Sequence, residues 1–111
     1  MQNRITVLIV EPSKSPRITE IPNTLESLQQ IVGGYIQALY PFADPVALIC
    51  NEEGKLLGLP WNRPLFDEDW QIYDIIVGTF IIAGLTEDDF GSLSAELIEK
   101  YSKHFDIPIY I

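Results

Sequence analysis

Cysteine, histidine and long apolar runs are scarce in this sequence of 111 residues. The single cysteine, Cys50, cannot form a disulfide within the chain, and one cysteine with one histidine cannot supply a four-ligand structural zinc site. The longest apolar run, residues 75–85, is interrupted by Gly78 and Gly84 and is shorter than the roughly 20 residues that cross a bilayer. We therefore expect a cytoplasmic protein that has neither a signal peptide nor a membrane span.

Basic residues are also few, with 7 lysines and arginines against 16 acidic residues and a net charge of −9. Residues 51–111 carry twelve of those acids and only four of the basic residues. Such a chain repels phosphate backbones, so direct binding of nucleic acid is disfavoured. The same charge fits a protein that docks on a basic protein surface, although a net charge away from zero also serves solubility alone.

No catalytic, nucleotide-binding or cofactor motif is present. His104 has no serine or cysteine beside it in a recognisable nucleophile signature. Asp67 and Asp69 mimic the start of a calcium loop, but Ile72 stands where the loop needs glycine and Gly78 stands where it needs glutamate. We expect no catalytic residue, no bound metal and no cofactor, and we do not expect an enzyme.

Hydrophobic periodicity predicts an α+β fold in a single domain over residues 1–111. Strands are expected at residues 5–11, 17–21, 35–40, 46–50, 55–59 and 73–83, the last as the central strand of the sheet and the one before it as a hairpin partner of 46–50. The motif Asn51-Glu52-Glu53-Gly54 is typical of the turn in that hairpin, with its fourth residue in the left-handed region.

Two helices complete the prediction. Thr24 is expected to cap the first, which ends at Gly33, and Ser94 is expected to cap the second. Leu97, Ile98, Tyr101 and Phe105 form the apolar stripe of the second helix. The expected architecture is a mainly antiparallel sheet of about five to six strands with both helices packed on one face, and residues 107–111 form either a last strand or a surface for a partner.

The segment Leu-Pro-Trp-Asn-Arg-Pro, residues 59–64, is the candidate binding loop. Its prolines stiffen the backbone, so little entropy is lost when a partner binds. Trp61 offers a face for stacking, Asn62 a donor and an acceptor, and Arg63 a planar fork for carboxylate or phosphate. The residues predicted to bind a ligand are Tyr35, Asn51, Pro60, Trp61, Asn62, Arg63 and Tyr73. In the structural alternative, Arg63 pairs with Asp67 or Asp74 while Trp61 covers the edge of the sheet.

Four segments together resemble a family of phage and plasmid proteins known as domain of unknown function 3846. They are GGYIQALYPF, DPVALICNEEGKLLGLPWNRPL, DEDWQIYDIIVGTFIIAGL and DFGSLSAELIEKY, which span nearly the whole chain. The resemblance implies a cytoplasmic protein of a mobile element and implies no activity. The family pattern usually has glycine where Trp70 stands and is variable at Trp61, while Asn62 and Arg63 match it.

Two functions from different classes follow as hypotheses. In the first, the protein is a non-catalytic binding module that sequesters a small anionic, nucleotide-like ligand in counter-defence, in a pocket at the 51–63 loop that a homodimer interface could complete. In the second, it is an acidic inhibitor or nucleic-acid mimic that covers a basic surface of a host protein. That inhibitor would use the Glu87-Asp88-Asp89 turn and the second helix.

Overall fold

The computed structural model describes residues 3–106 of the chain. Eight strands and two helices follow one another in this part of the chain. In chain order they are β1 (Arg4–Val10), β2 (Arg17–Pro22), α1 (Leu25–Val32), β3 (Ile36–Leu39), β4 (Val46–Asn51), β5 (Trp61–Phe66), β6 (Ile72–Val77), β7 (Phe80–Leu85), β8 (Phe90–Gly91) and α2 (Ala95–His104).

The strands form one large antiparallel sheet and one separate ribbon. The large sheet has six strands in the order β2-β1-β7-β4-β3, with β8 paired to β7, and β5 and β6 form the two-stranded ribbon. All the pairings are antiparallel. The predicted α+β class and mainly antiparallel sheet are confirmed.

One helix covers each face of the large sheet, so the prediction that both helices pack on one face is wrong. Val7 of β1 belongs to the same buried cluster as Leu28 of α1. The next residue, Leu8, points to the opposite face and belongs to the cluster that contains Tyr101 of α2. Successive side chains of a strand alternate between faces, and β4 is buried at every position, so both faces need a cover.

The β5–β6 ribbon lies on the side of α2. Leu65 of β5 and Ile76 of β6 are buried in the same cluster as Phe105. The ribbon and α2 therefore cover the same face of the large sheet, and α1 covers the other face. This arrangement brings the connections of the ribbon close to the end of α2.

Residues 73–83 form two strands instead of the single central strand that the sequence predicts. The extended conformation is interrupted at Gly78, which has a φ of 72°. The residues before it belong to the ribbon, and the residues after it belong to the large sheet. A side chain at Gly78 would also meet Leu59, because an added Cβ would lie 2.7 Å from Leu59 Cδ1. Gly78 therefore combines a left-handed backbone with a close contact to Leu59, and the central strand is β7.

Residues 55–59 form turns and do not pair with β4. Both sides of β4 are occupied, by β3 and by β7, which leaves no edge for a hairpin partner. The amide of Gly54 donates to the carbonyl of Asn51, so the predicted turn is present, but the left-handed residue is Gly58, with a φ of 69°. The hairpin expected from the turn is therefore absent, and Leu56 and Leu57 of this segment are exposed.

Both predicted helix caps are confirmed. The hydroxyl of Thr24 accepts a hydrogen bond from the amide of Ser27, and Gly33 ends α1 in the left-handed region. Ser94 caps α2 in the same way by accepting from the amide of Leu97. The prediction for residues 107–111 lies outside the described residues.

Candidate functional site

The predicted binding loop begins strand β5, and a bulge in that strand turns its polar residues inward. Trp61 pairs with Val77 and Arg63 pairs with Ile76, so one extra residue of β5 lies between two successive partners on β6. Asn62 and Arg63 are consequently both buried, with exposed fractions of 0% and 1%, whereas Trp61 is 52% exposed. The structure thus separates Trp61 from the two polar residues with which it was expected to act.

The guanidinium of Arg63 is held by backbone carbonyls of distant segments. Nε and Nη2 donate to the carbonyl of Phe105 at 3.0 and 2.8 Å, and Nη2 also donates to the carbonyl of Lys14 at 2.5 Å. Nη1 donates to Oδ1 of Asn62 at 2.7 Å. Neither Asp67 nor Asp74 is among these acceptors. Arg63 therefore ties β5 to the end of α2 and to the β1–β2 turn, where an external anion does not reach it.

The amide of Asn62 has the same kind of internal role. Its Nδ2 donates to the carbonyls of Val10 and Gly78, each at 2.8 Å, while its Oδ1 accepts from Arg63. Both hydrogens of the amide are used, and the side chain is fully buried. Asn62 joins the end of β1 to the break between β6 and β7.

The other predicted ligand-binding residues are dispersed. Asn51 is buried, donates to the carbonyl of Val32 and accepts from the amide of Glu53, so it ties the end of α1 to the turn after β4. Tyr35 and Tyr73 are exposed, and the carbonyl of Pro60 accepts from the amide of Gly78.

Asn51 also lines a cavity of about 140 Å³, but none of the other six predicted residues lines that cavity. Glu52, Lys55 and Asp74 contribute to its wall, and the ammonium of Lys55 lies 2.5 Å from a carboxylate oxygen of Asp74. With two acids and one paired lysine, the cavity does not favour an anion. Cys50 also lines it, and burial raises the pKa of its thiol, which makes the thiol a weak nucleophile.

The geometry of the predicted site does not identify the protein, but its sequence matches a known family. Residues 5–106 match the family described as domain of unknown function (DUF3846). This chain is a DUF3846 domain. No curated protein and no solved structure matches it.

The family description assigns the DUF3846 domain no activity. Within residues 3–106, no three side chains of histidine, cysteine, aspartate or glutamate come together in a way that could hold a metal ion. Among the same residues, no helix is both long and apolar enough to cross a membrane.

Sequence reasoning missed an aromatic cavity next to the ribbon. The cavity measures about 120 Å³ and lies between the residue 40–45 connection, the β5–β6 connection and the end of α2. Phe42, Phe66, Trp70, Asp67 and His104 contribute to its lining. The available signal was the motif Asp-Glu-Asp-Trp at residues 67–70, in which a large aromatic residue interrupts an acidic turn.

Trp70 occupies an unusual backbone position in the DUF3846 domain. Its φ is 60°, in the left-handed region that costs a non-glycine residue roughly 1–2 kcal/mol, and its side chain is 73% exposed. Its ring lies against that of Phe66, with 5.7 Å between the centroids. A glycine would adopt this φ without strain, so the tryptophan is present at a conformational cost.

Charges on the DUF3846 domain are distributed unequally. Among residues 3–106, six basic side chains lie within 4 Å of a carboxylate, and Arg63 is buried and bound by backbone carbonyls. These pairs use five of the sixteen acids. The other eleven are exposed: Glu26, Glu52, Glu53, Asp67, Glu68, Asp69, Glu87, Asp88, Asp89, Glu96 and Asp106.

Two acidic turns lie on either side of the residue 40–42 segment. Tyr40 lines a shallow hollow together with the turn at residues 87–89, and Phe42 lines the aromatic cavity together with the turn at residues 67–70. We call this surface, made of residues 40–42, 67–70 and 87–89, the acidic face. It combines exposed aromatic rings with six carboxylates.

A polar cluster fixes the segment that joins the two turns. Asp44 accepts hydrogen bonds from Lys100 at 2.6 Å and from Tyr101 at 2.7 Å, which hold the pKa of Asp44 below its ordinary value. Burial, followed by the bond to Asp44, raises the pKa of Tyr101. The 40–45 connection is therefore anchored to α2, and the acidic face has a defined shape.

Proposed function

We propose that this DUF3846 domain is a non-catalytic binding module that covers a basic surface of a partner protein. The observation that carries the proposal is the unequal use of charge. Nearly all the basic side chains are matched by acids of the same chain, while eleven exposed acids are not matched. A surface of one sign attracts an oppositely charged partner and speeds its association.

The acidic face is the part of the surface that best fits this role. Interfaces are enriched in tryptophan and tyrosine, and both Trp70 and Tyr40 are exposed on the acidic face. The 40–45 connection, which carries Tyr40, is anchored to α2 through Asp44, so little order has to be gained there on binding. The turn at residues 87–89 is the one that the inhibitor hypothesis uses.

The resemblance to phage and plasmid proteins gives the proposal a biological setting. For a protein of a mobile element the partner is a host protein, and covering its basic surface is a counter-defence function. Where that surface normally holds nucleic acid, the DUF3846 domain competes with the nucleic acid for it.

Two charge-reversal variants test the proposal. The first replaces Glu68, Glu87 and Asp88 of the acidic face by lysine. All three are exposed, and their carboxylates accept none of the hydrogen bonds found among the described residues. The matched control replaces Glu26, Glu52 and Glu53 by lysine, which changes the net charge equally. Glu26 lies on α1, and Glu52 and Glu53 follow the C-terminal end of β4.

Each variant is immobilised and incubated with host lysate at low and high salt, and the captured proteins are identified by mass spectrometry. We expect the wild type and the control to capture the same basic protein, the face variant to lose it, and high salt to release it. Equal capture by all three proteins would contradict the proposal. So would the absence of capture together with a nucleotide-specific rise in melting temperature, which would favour a small anionic ligand.

A further inference from the structure

We propose that the aromatic cavity beside Trp70 binds the cationic head of a lysine or arginine side chain of the partner. The inference rests on the proposed function and specifies the chemistry by which the acidic face recognises its partner. The cavity is lined by residues of three separate elements, and its size, its rings and its charge all favour such a group.

The size of the cavity sets the size of the guest. A cavity of about 150 Å³ is known to hold benzene, and this one measures about 120 Å³. It therefore fits a group somewhat smaller than benzene, such as a guanidinium or an alkylated ammonium. A nucleobase with its sugar and phosphate is too large to enter.

The rings supply the attraction for a positive charge. The centroids of Phe66 and Trp70 lie 5.7 Å apart, and those of Phe42 and His104 lie 5.5 Å apart. A cation is attracted when it lies within about 6 Å of a ring centroid, so one guest can be close to several of these rings at once. Tryptophan gives the strongest attraction of the aromatic residues.

The charges around the cavity have the sign that a cation needs. Asp67 contributes to the lining, and its Oδ1 accepts from the amides of Asp69 and Gln71 at 2.9 Å each, which fixes the carboxylate in place. No lysine or arginine is among the described residues that line the cavity. An anion would meet Asp67 with no positive charge to offset it.

His104 is suited to act as a neutral wall. Partial burial, followed by the charge of Lys100, lowers the pKa of its imidazole, which favours the uncharged form at neutral pH. The rings of Phe42 and Phe105 pack against it at near right angles, with centroids 5.5 and 4.6 Å away. A neutral imidazole does not repel a cation in the cavity.

The position of Trp70 is consistent with this role. A bulky exposed residue in the left-handed region is kept at a cost in stability, and such strain is often found at binding sites. The contact with Phe66 places the tryptophan ring at the cavity. The same strained position makes Trp70→Gly a suitable test variant, because glycine accepts this backbone conformation.

The test uses the whole chain and a small probe, Nα-acetyl-trimethyllysine amide. Binding is followed by NMR through the indole N–H signals of the two tryptophans, which the Trp61→Phe variant assigns. The control probe is the neutral isostere in which carbon replaces the quaternary nitrogen. A further probe, choline, distinguishes a protein side chain from a free quaternary ammonium compound.

We expect the trimethyllysine probe to shift the Trp70 signal and leave the Trp61 signal in place. Trp70→Gly should weaken binding about fivefold, since a cation–π contact at an exposed ring gives an effect of this order. Asp67→Asn, whose Oδ1 still accepts the two amide bonds, should weaken it about fivefold. The neutral isostere should bind at least tenfold more weakly than the cation.

Equal binding of the cation and its isostere, or binding that Trp70→Gly does not change, would overturn the inference. Tighter binding of choline than of trimethyllysine would also overturn it, since the guest would then be a free small molecule. If the trimethyllysine probe fails to bind while the charge-reversal variant still loses its partner, the cavity inference fails and the proposed function stands. If the probe binds and no partner depends on the acidic face, the proposed function fails instead.

Discussion

At the scale of single residues, the sequence around Arg63 allows two opposite interpretations of the role of its side chain. A guanidinium in a proline-stiffened loop is typical of an anion site, and the alternative was an ion pair with a nearby acid. Instead, the guanidinium joins carbonyls 42 and 49 positions away in the chain. Local sequence contains no signal for partners at that separation, so neither reading predicted this role.

The first prediction concerns Arg63→Ala. It leaves the buried carbonyl of Phe105 and the Oδ1 of Asn62 without their donor and creates a cavity, so we expect a loss of at least about 3 kcal/mol in the free energy of unfolding. Chemical denaturation measures it. Arg17→Ala is the matched control, since Arg17 makes an exposed pair with Glu11 and should cost less than about 1 kcal/mol. Similar small losses for both variants would refute the structural role.

The second prediction concerns the pH dependence that His104 gives to stability. Because burial lowers its pKa in the folded state, the unfolded chain binds a proton near pH 6.5 while the folded chain does not. The free energy of unfolding should therefore fall as the pH decreases below about 6.5, until the pKa of the folded state is reached.

NMR titration of the imidazole gives the pKa directly, and the assignment is simple because the chain has one histidine. His104→Gln should remove the part of the pH dependence that lies above the range in which carboxylates titrate. A measured pKa at or above the ordinary value would show that the imidazole is better solvated than the structure indicates.

At the scale of elements, the features that sequence predicted correctly depend on neighbouring residues. The caps at Thr24, Gly33 and Ser94 act within one turn of helix, so short motifs locate them. The errors concern which surfaces meet. The strand at residues 46–50 is apolar on both alternating faces, a pattern typical of a strand covered on both sides, and this signal predicts one helix on each face. The split at Gly78 depends on its contact with Leu59, which no local pattern shows.

The third prediction tests the packing of β7 against β8. A Cβ added at Gly84 would lie 2.4 Å from the carbonyl oxygen of Ser92, and that backbone cannot move without disturbing the pairing of the two strands. We expect Gly84→Ala to lower the free energy of unfolding by about 2–3 kcal/mol. Gly33→Ala is the control, since its φ of 82° carries strain but the space around it is open, and it should cost about 1 kcal/mol. A smaller loss at Gly84 than at Gly33 would contradict the described packing.

At the scale of the whole molecule, the net charge of −9 has two consequences of opposite kind. It directs the domain toward basic partners, as proposed above, and it makes the folded chain repel itself. Five of the sixteen acids are offset by basic side chains. The other eleven are distributed over the solvent-accessible surface of the chain, which measures about 6,776 Å². The composition predicted the charge, but only the structure shows that most basic side chains are already paired.

The fourth prediction follows from that repulsion. Added sodium chloride should screen the unmatched carboxylates and raise the melting temperature, an effect that saturates as the screening length becomes shorter than their separation. Thermal unfolding at increasing salt measures it. The variant with lysine at positions 68, 87 and 88 has less negative charge and should show a smaller rise. A fall in melting temperature with salt would mean that the six ion pairs dominate the electrostatics.

The outer strands of the large sheet also determine how the domain behaves in a crowded cell. In the described sheet these are β2, which carries Arg17 and Glu20 and ends at Pro22, and β3, which has only four residues. Charges, a proline and a short length each hinder the addition of a foreign strand. The domain therefore has little tendency to polymerise through the edges of this sheet, which leaves its acidic surface available for contact with other proteins.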